Sequence, residues 1–202
     1  MNMSFTVHNV LGRGTRAHIF SVSFTGEPVE ERYALKLALR GDYCRHSREE
    51  YEVLTKLEEY IEHNDSVDAL NIGHLRRDVP FLHFRDYPVA NDFVCILFVK
   101  QIANAVTLGR VMDFKDSYPA ITGGDVSTLI DFVSGCHRDI LTVFDALHLV
   151  LHDYYQDTNF GNIMVDTATK RCHLIDFGGL FRLDSQIKYV VLCLLYLSRK
   201  VP

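Results

Sequence analysis

Three side chains with oxygen donors fall close together late in the sequence. Asp157 and Asn162 sit in "YQDTNFGNIMVD", ahead of the apolar run Ile163-Met164-Val165, and Asp176 follows in "LIDFGG". Such oxygens are the donors magnesium prefers, a few from protein with phosphate and water completing the shell. A further aspartate can serve as base toward a hydroxyl nucleophile. Asp, Asn and Gly also favour turns for local reasons, so these residues alone leave turn chemistry and a metal-phosphate site both open. Gly178 and Gly179, after Asp176-Phe177, let the chain turn sharply away.

Two stretches nearer the start offer partners for such a site. In "LGRGTRAHIF", Gly12 and Gly14 let the backbone approach a phosphate closely, which between two strands would form a flap over a nucleotide. A two-glycine strand turn is equally ordinary. In "YALK", Lys36 ends an apolar segment, so its amine could enter a cleft or snorkel to the surface. Glu49, Glu50 and Glu52 follow on a helical pattern, and one of them could fix Lys36. Ser47 to Glu50 also fits a capping box, and Glu52 a solvated helix face.

The elements needed to position these groups can be read from periodicity. Residues 5–11 and 18–25 are rich in Phe, Val, Ile and Ser and read as strands, and residues 32–39 alternate as a third. Residues 47–63 turn helical, with Tyr51, Leu54, Leu57 and Ile61 on one face. "FLHF" and "FVCILFV" add two strands, giving β-β-β-α-β-β, an antiparallel sheet with one helix on it. Beyond a boundary near 99–105 comes a short helix, "TLGRVMD", then a long one over 127–152 with Leu129, Val133, Cys136, Ile140, Phe144 and Leu147 at helical spacing. "NIMVD" and "CHLIDF" read as short strands, and 189–197, "YVVLCLLYL", as a buried apolar helix.

Glycine flap, strand lysine, helix glutamate, D-x-x-x-x-N and D-F-G occur in one order, and the chain resembles the protein-kinase superfamily from Leu11 to about Leu197. The resemblance implies an α+β, bilobal, kinase-like fold forming a single domain. Its β-rich lobe would cover about 1–99, its hinge about 100–105 and a truncated helical lobe about 106–202. It also implies roles. Gly12, Gly14 and Ala17 would cover ATP phosphates, and Ile19 and Ala34 would flank adenine. Lys36 would hold phosphates and pair with Glu50, the best register against the family's helix pattern. Asp157 would be the catalytic base, and Asn162 and Asp176 would hold Mg2+. The implied activity is transfer of the ATP γ-phosphate to a protein Ser or Thr hydroxyl. A pseudokinase or interaction module of kinase fold is the alternative, and a small-molecule kinase a further one.

Departures from the family pattern sharpen these expectations. The H-R-D triplet reads Tyr155-Gln156-Asp157, so the arginine that receives an activation-loop phosphate is replaced and the usual phosphorylation switch is not expected. Asn159 stands where Ser/Thr kinases place a phosphate-steadying lysine. Only 24 residues follow Gly178, with no A-P-E motif, which resembles the miniature kinases of bacterial effectors and viruses and the kinase-like subunit of the KEOPS complex. So short a lower lobe is expected to leave apolar surface for a protein substrate, a regulatory partner or a second copy.

Composition narrows the setting. A net charge of -5 argues against a large nucleic-acid footprint. The longest apolar run is too short for a bilayer, which takes roughly 18 residues or more. Cys44, Cys95, Cys136, Cys172 and Cys193 are dispersed without zinc spacing and read as free thiols, which places the protein inside the cell, cytoplasmic or nuclear.

Overall fold

Alternation of apolar and polar residues gives the first half its sheet, and the register of that sheet decides what each face carries. In a computed structural model, residues 4–28, 30–38, 41–64, 70–79, 82–84, 94–112, 126–151, 155–156, 159–178 and 180–181 are described. Strands β1 (Phe5–Arg13), β2 (Ala17–Phe24), β3 (Tyr33–Ala38), β4 (Leu82–Phe84) and β5 (Val94–Lys100) form one antiparallel sheet in the order β1-β2-β3-β5-β4. Helix α1 (Gly41–Glu62) falls between β3 and β4, the order expected from the sequence.

Directly opposed residues of antiparallel neighbours point to the same face. Phe20 is opposite Leu35, and Leu35 opposite Phe98. That face carries an apolar cluster of Val22, Phe24, Leu35, Val79 and Phe98, with Phe5, Phe20, Tyr33 and Ile96 packed against it. Arg76 closes it, its guanidinium 3.5 Å from the centroid of the Phe24 ring and ion-paired with Glu27 at 2.7 Å and Asp78 at 2.8 Å. The opposite face carries Ala17, Ile19, Ala34, Lys36, Ala38 and Cys95.

Helix α1 starts at Gly41 rather than Ser47. Gly41 and Asp42 are weak helix formers, which hides the start from a periodicity reading. Tertiary contacts override the weak propensity: Cys44 is buried with Ala38 and Cys95, and Tyr43 packs against them. Ser47 is therefore a buried mid-helix residue, and Ser47 to Glu50 is not a capping box.

The later residues form β6 (Ala105–Thr107), α2 (Leu108–Met112), α3 (Val126–Leu151), β7 (Tyr155–Gln156), a 3-10 turn (Phe160–Asn162), β8 (Ile163–Asp166), β9 (Cys172–Leu174) and β10 (Leu180–Phe181). Strands β6, β8 and β9 make a three-stranded sheet in that order, and β10 pairs with β7. On α3 the expected face is buried at Leu129, Cys136, Ile140, Phe144 and Leu147, while Val133 is only half-buried and Phe132 and Val143 take inward places. Residues 189–197 lie outside the described residues.

Two compact units emerge, Met1–Thr55 with Gly73–Gln101, and Lys56–Ile72 with Ile102–Pro202. Each holds one disulfide: Cys44–Cys95 in the first, Cys136–Cys172 in the second. The expectation of free thiols fails for these four cysteines, and with it the ground for placing the chain in a reducing compartment. Among the described residues no helix is long and apolar enough to cross a membrane.

Candidate active site

In the first unit, the sheet face that carries Lys36 also carries the other residues expected around a nucleotide. Lys36 is opposite Ile19, and Ala34 is opposite Ser21, so Ile19 and Ala34 flank the lysine on one surface. The register of β1 shifts between Val10 and Gly12, a bulge that brings Gly12 opposite Ile19. Gly14 N–H donates to the Ala17 carbonyl at 2.9 Å and closes the turn. A Cβ at Gly12 would meet only Ile19 Cδ1 at 4.0 Å, and one at Gly14 only the Ala17 carbonyl at 3.5 Å. Neither glycine is required by the chain's own packing, so the space above each is open to a ligand.

Lys36 Nζ donates to Glu50 Oε2 at 2.5 Å. The two side chains are 14% and 4% exposed, so the pair is largely withdrawn from water. Of the three glutamates left open by the sequence, Glu50 meets the lysine. Glu49 pairs instead with Arg45 and His46 along its own helix, and Glu52 faces solvent.

In the second unit, turn chemistry and ligand placement prove to be separate tasks. Asn159 Oδ1 accepts the Gly161 N–H at 2.8 Å, and the Asn159 carbonyl accepts the Asn162 N–H at 2.9 Å. A Cβ at Gly161 would fall 2.8 Å from Asn159 Oδ1, so any larger residue there would push the capping oxygen aside. The residue that closes the turn is thus Asn159, the one standing at the expected lysine position. Helix α2 backs the loop, with Gly109 against Phe160.

The β8–β9 ladder then brings Asn162 and Asp176 to one end of the sheet. Ile163 is opposite Leu174, and the next rung is the Ile175 N–H donating to the Asn162 carbonyl at 2.9 Å. Asp176 follows immediately, exposed and left-handed at φ 64°, a conformation aspartate tolerates better than most residues. Phe177 behind it is 1% exposed and anchors the segment in the core. An amide oxygen and a carboxylate are donors of the type a hard cation takes. Among the described residues no three His, Cys, Asp or Glu gather at one point; Asn162 is an amide, and Asp157 and Gly179 lie outside the described residues.

Asp139 has a structural part that the sequence reading missed. From α3 its carboxylate accepts Arg171 Nε at 2.9 and 3.0 Å, pairs with Arg171 Nη2 at 2.8 Å, and accepts the Cys172 N–H at 2.9 Å. The Cys136–Cys172 disulfide joins the same helix to the same strand. The available clue was spacing: Cys136 and Asp139 lie three apart on α3, and Arg171 and Cys172 are adjacent.

No protein-family profile and no curated protein matches the chain. Among solved structures, the crystal structure of BubR1 kinase domain is similar with a TM-score of 0.60 over 91% of this chain. The fold is kinase-like. Sequence identity is 15%, so the likeness speaks for the fold alone, and the chain spans about half (49%) of the length of that one.

Proposed function

We propose that the chain is a minimal ATP- and magnesium-dependent phosphotransferase that passes the γ-phosphate to a Ser or Thr hydroxyl of a protein. The observation that carries this reading is the Lys36–Glu50 pair. Withdrawing an ammonium and a carboxylate from water costs several kcal/mol per ion, and an apolar contact would hold a helix to a sheet without that cost. A lysine held for phosphate accounts for it.

In this reading Lys36 meets the α- and β-phosphates, Glu50 fixes its direction, and the open backbone at Gly12 and Gly14 with Ala17 lies over the phosphates. Ile19 and Ala34 give adenine an apolar surface. Asn162 and Asp176 would hold magnesium, which when bound neutralises phosphate charge. Asp157 takes the proton of the hydroxyl. Rate enhancement then comes from positioning and charge stabilisation. A protein substrate would dock on the residues that follow the hinge segment with its hydroxyl at the γ-phosphate, and a regulatory partner or a second copy of the chain would dock on those residues away from the nucleotide.

One observation favours the interaction-module reading. Asn159 is committed to its turn, so no cation from that position steadies the transferring phosphate. A thermal-shift titration with ATP, with and without magnesium, tests the nucleotide site. Saturation at a hundredfold over Kd stabilises by about 2.7 kcal/mol, and Lys36→Met and Asp176→Ala should each remove most of that gain. No shift in the wild-type chain would refute nucleotide binding. A magnesium-dependent shift without phosphate transfer to any Ser/Thr protein tried would favour the module.

A further inference from the structure

A second bond joins α1 to the sheet beside the ion pair, and it is covalent. Cys44 and Glu50 are both buried on α1, about 120° apart around the helix and about 9 Å apart along its axis at 1.5 Å per residue. On the sheet, Cys95 is opposite Ala38 and Leu97 is opposite Lys36, so Cys95 and Lys36 point to the same face. Cys44–Cys95 and Glu50–Lys36 therefore tie the same helix to the same sheet face, the disulfide in the first turn of α1 and the ion pair further along it. The cross-link is sealed from water, with Cys44 at 7% exposure and Cys95 at 0%.

In the first turn of α1 the cross-link acts together with the packing of Tyr43 against Ala38, Cys44 and Cys95. Gly41 and Asp42 are poor helix formers, and a first turn leaves its N–H groups without helical partners. If this end frays, Glu50 loses one of the constraints that set the helix, the burial of Val53, Leu54 and Leu57 remaining. More of the cost of ordering the two long side chains must then be met from their own attraction.

We propose that Cys44 and Cys95 are positioning residues whose cross-link holds Glu50 on Lys36, so that the competent form of the site is the oxidised one. The consequence for phosphotransfer rests on the function proposed above; the coupling between disulfide and ion pair does not. Reduction by a dithiol breaks the Sγ–Sγ bond and gives each sulfur one electron and one proton, while the dithiol closes to its own disulfide. The protein would then work where thiols are oxidised and lose its alignment where they are reduced.

The test begins with alkylation of the full chain unfolded without reductant, followed by mass spectrometry. Cys44 and Cys95 should appear as one cross-linked pair, and alkylation of both would overturn the proposal. A double-mutant cycle then combines Lys36→Met with Cys44→Ala/Cys95→Ala and reads Tm. The shift caused by Lys36→Met should shrink markedly once the cross-link is gone; equal shifts in both backgrounds would refute the coupling. Should the cysteine variant not fold, the Cys136→Ala/Cys172→Ala chain is treated with dithiothreitol until mass spectrometry shows the Cys44–Cys95 bond opened, and the acylation rate of Lys36 is followed. That rate should rise severalfold on reduction and fall on reoxidation, and a constant rate overturns the proposal. Magnesium-ATP stabilisation of the wild-type chain is scored separately. Its absence alongside intact coupling sinks phosphotransfer and leaves the positioning role standing; additive shifts alongside a nucleotide response do the reverse.

Discussion

Replacing Asp139 by alanine should be among the costlier single changes in the second unit, and the cost should come from one N–H rather than from the ion pair. Asp139 is 8% exposed and accepts the backbone N–H of Cys172, a residue fully buried at 0%. Alanine leaves that donor without its acceptor, which costs about 1–3 kcal/mol. Arg171 is different, because its side chain is 54% exposed and can return to water. Its share of the interaction is that of a surface pair, about 0–1 kcal/mol. The sum for Asp139→Ala is about 1–4 kcal/mol, or a fall in Tm of about 2–16 °C for a chain of this size. Asp139→Asn keeps an oxygen for the Cys172 N–H and should cost about 1 kcal/mol or less. Urea unfolding of the oxidised protein, followed by circular dichroism, gives both values. Equal losses in the alanine and asparagine variants would refute the reasoning, since the charge and not the acceptor would then be carrying the stability.

Other outcomes follow from the same geometry. Gly12→Ala and Gly14→Ala should leave Tm nearly unchanged, within about 0.5 kcal/mol, because a Cβ meets nothing closer than 3.5 Å at either place; both should weaken the magnesium-ATP shift, and an unaltered shift would remove the glycine turn from the site. Gly161→Ala puts a Cβ 2.8 Å from Asn159 Oδ1 and should cost about 0.5–2 kcal/mol, as losing a capping oxygen does; urea unfolding reads it. Burial pushes the Asp166 carboxyl up, but hydrogen bonds from the Thr169 hydroxyl and the Ala168 and Thr169 N–H groups outweigh it and hold it below its ordinary range. Its contribution is present above about pH 3.9, the unfolded value, and is lost as pH falls through the lower folded value, so Asp166→Asn should destabilise at pH 6 and much less at pH 2; an equal cost at both refutes it.

Strands and long helices were legible because their burial repeats every second residue in a strand and every three to four in a helix. In the first half the order β-β-β-α-β-β follows from that alone, and so does most of the buried face of α3. What periodicity misses is short or irregular. Strand β6 has three residues, Ala105–Thr107, too few to alternate visibly. The start of α1 lies in "GDYC", where propensity argues against helix and buried contacts at Cys44 decide the matter.

Polar residues were legible in a different measure. Lys36 and Glu50 could be named from order and spacing, but residue types alone leave Glu49, Glu50 and Glu52 open, and the register of the resemblance singles out Glu50. Residue types also leave the turn before β8 open. Its sequence contains four residues suited to turns, Asp157, Asn159, Gly161 and Asn162, and only geometry assigns the capping oxygen to Asn159.

Disulfides lie furthest from what a sequence can show. Cys44 and Cys95 are 51 residues apart, and Cys136 and Cys172 are 36 apart. Nothing local selects one partner among five cysteines, because connectivity is set by tertiary placement. The selection appears once register is known. Ala38 opposite Cys95 leaves a small residue beside the thiol, and the buried face of α1 brings Cys44 into that space. The Cα atoms then stand 5.5 Å apart, within the reach of a bridge. A dispersed set of cysteines is therefore no evidence for a reducing compartment, and the residues that pin α1 beside the Lys36–Glu50 pair become visible only when the sheet is built.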